Sequence, residues 1–184
     1  SSGFDAISQA MESILSKKSN SESIAYASKA LKLLFSNYTD FVKKKNIYNA
    51  HKMAIGANLA GKAINISKTT APHALSYPFT AFFNIPHGHA VSLTLNKFLK
   101  FNNRFQNKVD SEFNLKKRFD LLFDLSNSKN IYELDRYLTK IKKTAKLEQN
   151  FENLGINIKN NYSKIISGLN NQRLKNNPVK ISKK

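Results

Sequence analysis

The sequence predicts an all-α domain whose helices pack around one core. Apolar residues recur at helical spacing in one segment after another, and no segment sustains the apolar–polar alternation of a strand. The 184 residues suit a single domain, and a hydrophobic content of 41% is enough for one packed core. No internal repeat is present.

The N-terminal segment predicts two amphipathic helices. The first runs from about Asp5 to Lys17, with Ser2 or Gly3 as its cap. SNSES then combines a turn with helix-start chemistry, and SNYTDFVKKKN after the second helix is a polar connection or a frayed continuation. Each helix has one apolar face, formed by Ile7, Ala10, Met11 and Ile14 in the first and by Ile24, Ala27, Leu31 and Leu34 in the second.

A third helix is predicted from about Ile47 to Ile66. It is rich in small residues, which let neighbouring backbones approach closely, and we therefore expect it to be central and buried. These small residues are Ala54, Gly56, Ala57, Ala60, Gly61 and Ala63.

The remaining segments predict shorter helices. One runs from His73 to Phe83 and ends at NIP, because proline disfavours helix at the residue before it. Gly88 and His89 open the next helix, and NNPVKISKK ends the chain as a loop. Four further helices are predicted near 112–125, 131–145, 147–154 and 162–174.

Composition excludes several classes of function. There is no cysteine, so disulfides, zinc–thiolate clusters and thiol catalysis are ruled out. No apolar run reaches the roughly 20 residues of a membrane span, and no signal-peptide pattern opens the sequence. We therefore expect a cytoplasmic protein.

The formal charge of +18 raises the possibility of nucleic-acid binding. However, lysine and asparagine run through the whole chain, and only four of the 30 basic residues are arginine. A basic nucleic-acid-binding module is therefore the less favoured interpretation.

Three of the four histidines lie in HALSYPFTAFFNIPHGH, and a carboxylate and an amide share one face of the first helix. Asp5 and Gln9 are four residues apart, whereas His73 and His87 each begin a helix. Two imidazoles, a carboxylate and an amide oxygen would suit Fe²⁺, Mn²⁺ or Zn²⁺. Taken singly, such residues are more often structural, so spacing alone leaves both interpretations open.

Two separated motifs resemble those of the iron-containing alcohol dehydrogenases. GFDAISQAMES is similar to the motif that opens the helical C-terminal domain of this family, and HALSYPFTAFFNIPHGHAVSL is similar to its second signature. The resemblance covers nearly the whole chain and implies the fold shared with dehydroquinate synthase-like proteins. HALSYP and the RLKNNP ending are similar to the branch that contains phosphonoacetaldehyde reductases.

The resemblance implies the metal ligands position by position. They are Asp5, Gln9, His73 and His87, with Gln9 standing where most members carry a histidine. Tyr77 stands where many members carry a histidine near the nicotinamide, and is therefore a candidate catalytic residue; an unperturbed tyrosine, however, titrates near 10. His89 is not a ligand by position; it and Phe83 are candidate pocket residues, or structural ones.

The resemblance also implies a reaction. We expect hydride transfer between NAD(P)H and a small aldehyde, phosphonoacetaldehyde being one candidate, with Fe²⁺ as the first choice of metal and Zn²⁺ as the second. The six glycines form no G-x-G-x-x-G turn, so residues 1–184 are interpreted as the metal-binding helical half, without the family's N-terminal α/β dinucleotide-binding domain. We expect such a half to be inactive alone and to act with that domain or in a homo-oligomer. The alternative is an inactive metal-binding remnant.

Overall fold

The computed structural model describes residues 1–44, 46–109 and 114–181. Within them the chain is helical, as predicted, and the β pairing is one isolated bridge between Val109 and Val179. In the described residues, no helix is both long and apolar enough to cross a membrane. The helices are α1 Ser2–Leu15, α2 Ser21–Lys43, α3 Ile47–Ser67, α4 Ala71–Phe83, α5 His87–Arg104, α6 Leu115–Ser126, α7 Ile131–Thr144, α8 Tyr162–Ser167 and α9 Asn171–Lys175.

Helix α1 lies at the centre of the domain and packs against α2, α3, α5 and α6. It begins earlier than predicted, with Ser1 as its cap. Its apolar side chains are fully buried in the main core, because residues on more than one face of this helix are apolar or small. The largest of them are Phe4, Ile7, Met11 and Ile14.

The expectation that α3 is the central, buried helix is wrong. One face of α3 packs against α2 and α1, whereas Ala54 and Ile55 are exposed on the other. The small residues do allow close approach, since a Cβ at Gly56 would lie 2.8 Å from Leu34. Small size therefore indicates a close helix–helix contact on one face, but not burial on every face.

Helix α2 begins at a capping box and continues through the segment predicted to be a polar connection or a frayed continuation. The Asn20 side chain accepts from the Ser23 amide at 2.8 Å, and Ser23 Oγ accepts from the Asn20 amide at 3.0 Å. Tyr38, in the continuation, is buried in the main core. This contact explains why the polar segment stays helical to Lys43.

The C-terminal third departs most from the prediction. Residues 147–150 have no regular structure and residues 151–154 form turns, in place of the predicted helix. The Glu148 and Asn150 side chains accept hydrogen bonds from nearby backbone amides there. The predicted helix 162–174 is divided into α8 and α9 around Gly168. Helix α6 begins at Leu115; its predicted start at residue 112 lies outside the described residues.

Candidate metal centre

The first turn of α1 presents a carboxylate and an amide side by side. Asp5 and Gln9 lie one turn apart, and Gln9 Nε2 donates a hydrogen bond to Asp5 Oδ2 at 2.9 Å. This contact occupies one carboxylate oxygen and leaves Oδ1 to face the histidines. Gln9 therefore orients Asp5 through its NH₂ group, and a role for Gln9 Oε1 as a fourth ligand stays a prediction.

Two histidines, one on α4 and one on α5, meet this carboxylate. His73 Nε2 lies 3.3 Å and His87 Nε2 lies 3.8 Å from Asp5 Oδ1. Pro86 lies between α4 and α5 as the N-cap residue of α5, so that His87 begins this helix directly beside α1. A Cβ at Gly88 would lie 2.6 Å from the Ser1 carbonyl oxygen and 2.8 Å from Asp5 Cβ. Glycine is therefore what allows α5 to approach the aspartate.

The donor atoms fit a divalent cation. One ligand atom from each of Asp5, His73 and His87 lies within 4.8 Å of the others. Asp5 Oδ1 and His73 Nε2 are buried and have no hydrogen-bond partner among the described residues. Leaving two such atoms unpaired is costly, and a cation between them would satisfy both. Mixed imidazole and carboxylate donors suit Fe²⁺ and Zn²⁺.

A buried glutamate behind His73 was missed in the sequence. Glu12 Oε1 lies 2.5 Å from His73 Nδ1, and Glu12 Oε2 accepts from the amide and the hydroxyl of Thr70 at 2.7 and 2.9 Å. If Nδ1 carries the proton that Glu12 accepts, the lone pair of a neutral His73 is on Nε2, which faces Asp5. A carboxylate behind a histidine commonly orients it toward a metal in this way.

The signal for Glu12 was present in the sequence. It lies seven residues after Asp5 and three after Gln9, which places all three on the same face of one helix. It is also the acidic residue within AMESIL, a stretch that is apolar apart from it and Ser13. A glutamate there is almost never buried without a partner, and the spacing could have indicated one at the metal site.

The two histidines beside the carboxylates have pKa values that are shifted in opposite directions. Burial disfavours the charged form of His73, but attraction to Glu12 and contacts to Asp5 outweigh it and raise the pKa of His73 to about 9. The same negative charge favours any cation at Nε2, whether a proton or a metal ion. Burial lowers the pKa of His87, and the charges of His73 and Arg173 lower it further against the opposing effect of Asp5.

The open side of the centre is formed by Tyr77 and Arg173. The Tyr77 ring lies 6.1 Å from the His87 ring, between centroids, and its side chain is partly exposed. The Arg173 guanidinium carbon lies 5.5 Å from the Tyr77 ring centroid, and Arg173 also donates a hydrogen bond to Thr69. Sequence reasoning placed Tyr77 near the site but gave Arg173 no role.

Two predicted pocket residues lie elsewhere. His89 Nε2 lies 2.6 Å from the Glu148 carbonyl oxygen, to which it donates, so it fixes the turn that follows α7. Phe83 is ten residues along α4 from His73, about 15 Å at the helical rise. It packs against Phe79 in a second apolar cluster, with ring centroids 6.3 Å apart. The structure thus brings Asp5, Gln9, His73, His87 and Tyr77 together, but not His89 and Phe83.

Comparison with known families gives a match over the whole chain. The model of the Fe-containing alcohol dehydrogenase family, C-terminal part, matches residues 1–184. The 4-hydroxybutyrate dehydrogenase of Clostridium kluyveri is 33% identical over 102 residues, which are 54% of this chain and 28% of that protein. The phosphonoacetaldehyde reductase of Streptomyces viridochromogenes is 34% identical over 101 residues, 54% of this chain and 25% of that protein.

A solved structure shares the fold over almost the full chain. Sulfoacetaldehyde reductase from Bifidobacterium kashiwanohense, crystallised with NAD⁺, superposes with a TM-score of 0.84 at 26% identity. The superposition covers 98% of this chain and 46% of the reductase. The chain thus spans just under half the length of this solved relative.

Proposed function

Because the chain belongs to the Fe-containing alcohol dehydrogenase family, as its C-terminal part, we propose that it supplies the metal-binding half of an NAD(P)-dependent reductase of small aldehydes. The observation that carries the proposal is the meeting of Asp5, His73 and His87, with two donor atoms that are buried and unpartnered. Fe²⁺ is the expected metal, and Zn²⁺ is the second choice.

Asp5, His73 and His87 would hold the ion, and Glu12 would keep His73 in the required tautomer. When bound, a divalent ion acts as a Lewis acid that polarises a carbonyl oxygen and stabilises the alkoxide formed by hydride transfer. The His87 side chain is 40% exposed, compared with 3% for His73, so substrate would enter from the side of His87. Tyr77 stands at that entrance and is the candidate proton donor to the product oxygen.

A small aldehyde with an anionic group is the substrate class that we propose. The names of three relatives specify 4-hydroxybutyrate, phosphonoacetaldehyde or sulfoacetaldehyde, and each of these compounds carries a negative charge a few atoms from the reacting carbon. Other relatives are named for the neutral alcohols 1,3-propanediol and 1-propanol, so the choice between the two classes depends on the site. Phosphonoacetaldehyde itself is one candidate for this chain.

The coenzyme must be held largely by another domain. Hydride transfer needs reacting atoms about 3–3.5 Å apart, and the rest of the dinucleotide supplies the binding energy for that placement. No glycine-rich phosphate turn occurs in the sequence. We therefore propose that an N-terminal α/β domain binds the dinucleotide and that these 184 residues alone oxidise no NAD(P)H.

The test has two stages. The purified chain should bind about one Fe²⁺ or Zn²⁺, and either His73→Ala or His87→Ala should abolish binding, as measured by elemental analysis. Fusion of the N-terminal α/β domain of a sulfoacetaldehyde reductase ahead of Ser1, with Fe²⁺ supplied, should then produce aldehyde-dependent NAD(P)H oxidation.

Each stage can fail separately. Equal metal content in wild type and both histidine variants would refute the site. A folded, metal-loaded fusion that is inactive on all aldehydes tried would support the alternative of a metal-binding remnant, and turnover by the isolated chain would refute the need for a second domain.

A further inference from the structure

We propose that Arg173 is the specificity residue of this centre and that it binds the anionic group of the substrate. The proposed substrates are aldehydes or alcohols that carry a carboxylate, phosphonate or sulfonate a few carbon atoms from the reacting oxygen. The inference rests on the proposed function, because it assigns the substrate class of the same site.

Arg173 lies beside the candidate centre although it is far from it in sequence. Its guanidinium carbon is 5.5 Å from the Tyr77 ring centroid, and that centroid is 6.1 Å from the centroid of His87. The Tyr77 ring is thus a shared neighbour of the guanidinium and of the exposed ligand, His87. A short substrate whose oxygen lies at the ligands would extend its far end toward this cation.

The guanidinium is available to an anion. Arg173 has five N–H donors, and among the described residues its guanidinium donates a hydrogen bond to Thr69 Oγ1. None of the ion pairs among the described residues involves Arg173. The carboxylates nearest the centre, Asp5 and Glu12, face the histidines instead. A permanent charge without a carboxylate partner at the mouth of a site is suited to binding an anionic ligand.

The position of Arg173 is fixed by the surrounding backbone. The Asn170 side chain caps α9 by accepting from the Arg173 amide at 3.0 Å, and the Asn170 amide donates to the Ala74 carbonyl of α4 at 3.3 Å. The Asn176 side chain donates to the carbonyls of Ser67 and Thr69, each at 2.9 Å. Because the cation is held in place before substrate binds, little ordering is required when an anion arrives.

An arginine suits the anions concerned better than a lysine. The planar guanidinium can donate two parallel hydrogen bonds to a carboxylate, phosphonate or sulfonate, and stacking on a ring orients that plane. We therefore expect Arg173 to select for the anionic group, while the metal ligands act on the carbonyl or hydroxyl.

Binding of a small anionic alcohol to the Zn²⁺-loaded chain tests the proposal. The probe is 2-hydroxyethanesulfonate, followed by NMR titration at fixed ionic strength, with ethylene glycol as the neutral counterpart. Arg173→Gln should raise the dissociation constant of the sulfonate about tenfold or more, which corresponds to the loss of a charge-assisted hydrogen bond. Arg173→Lys should retain part of the affinity, and neither change should alter the response to ethylene glycol.

Arg104→Gln is the matched control. Arg104 also stacks on an aromatic ring, with its guanidinium carbon 5.3 Å from the Phe105 centroid, and its replacement removes the same charge from the far end of α5. Sulfonate affinity should be unchanged in this variant. An equal loss in Arg104→Gln, or wild-type affinity in Arg173→Gln, would overturn the proposal.

Zn²⁺ binding, measured separately in every variant, distinguishes this failure from failure of the proposed function. If the wild-type chain binds neither Fe²⁺ nor Zn²⁺, the proposed function is refuted. The titration without metal then still tests Arg173: sulfonate binding by wild type and Arg104→Gln but not by Arg173→Gln would support the anion site, and equal binding by all three would overturn it.

Discussion

Replacing Glu12 with glutamine is the most informative change at the candidate centre, because it preserves shape and removes one charge. Glu12 is 1% exposed and accepts hydrogen bonds from Thr70, while its other oxygen lies 2.5 Å from His73 Nδ1. The glutamine oxygen can keep both bonds from Thr70. Its NH₂ group then faces Nδ1 and must donate to it, which places the imidazole proton on Nε2.

That tautomer is unable to bind a metal through the nitrogen that faces Asp5. Loss of a partner behind a ligating histidine typically costs about 10- to 100-fold in metal affinity. The opposite amide orientation would set NH₂ against the Thr70 amide, and two donors facing each other in a buried site cost about 1–3 kcal/mol. Both orientations therefore weaken binding, and we expect about a 10- to 100-fold loss for Fe²⁺ or Zn²⁺.

Competition with a chelator of known affinity measures the loss, and ¹⁵N NMR of the His73 imidazole reports the tautomer directly. Glu22→Gln is the control, because Glu22 is an exposed carboxylate in the first turn of α2. Metal affinity in Glu12→Gln within about twofold of wild type, in a folded protein, would refute the reasoning, since the expected loss is at least tenfold.

Three further changes test separate parts of the structure. Gln9→His should tighten metal binding and shift preference toward Zn²⁺, because imidazole is the better borderline donor; unchanged affinity in competitive titrations would show that residue 9 points elsewhere. Gly88→Ala should force α5 away from Asp5, because the new Cβ would lie 2.6 Å from the Ser1 carbonyl oxygen, and metal affinity should fall; wild-type affinity would contradict this. Burial lowers the pKa of Lys142 to about 8, below the roughly 10.4 of an unfolded chain, so the unfolded state binds more protons between these values and stability should rise with pH there. From pH 7.5 to 10, the unfolding free energy of wild type should rise by on the order of 2–3 kcal/mol more than that of Lys142→Met. Lys143→Met, which changes an exposed position, should show the same pH dependence of unfolding free energy as wild type.

Helical periodicity predicted most of the fold because apolar faces are local features of the sequence. The first seven helices follow predicted segments, with shifted ends where a cap or break lies a few residues away. Residues 147–154 resemble the helical segments in composition, but the side chains of Glu148 and Asn150 accept hydrogen bonds from the backbone amides that follow them. Gln149 also accepts from buried Lys142 at 2.6 Å, which fixes the turn by a contact that periodicity does not contain.

The residues of the candidate site could be predicted from the sequence only in part. The resemblance of two motifs to a known family indicated Asp5, His73 and His87 as ligands, and the structure brings one donor atom of each within 4.8 Å of the others. Arg173 was not found because it reaches the site through the packing of α9 against α4, nearly 100 residues apart along the chain. The role of such a residue depends on tertiary contacts, which no local sequence pattern contains.

The candidate ligands differ in exposure across the site, and this difference separates the side that would hold the metal from the side that would meet the substrate. His73 is 3% exposed and is held by Glu12, Asp5 is 17% exposed and is oriented by Gln9, and His87 is 40% exposed. Helix α1 carries Asp5 from the most buried part of the core, so the inner side of the centre is fixed by packing that was already required for folding. The outer side, with His87, Tyr77 and Arg173, is the part whose residues can be exchanged at little cost to the core. Substrate preference should therefore be alterable at residues 77 and 173 without loss of metal binding, whereas changes at residue 12 should affect the metal first.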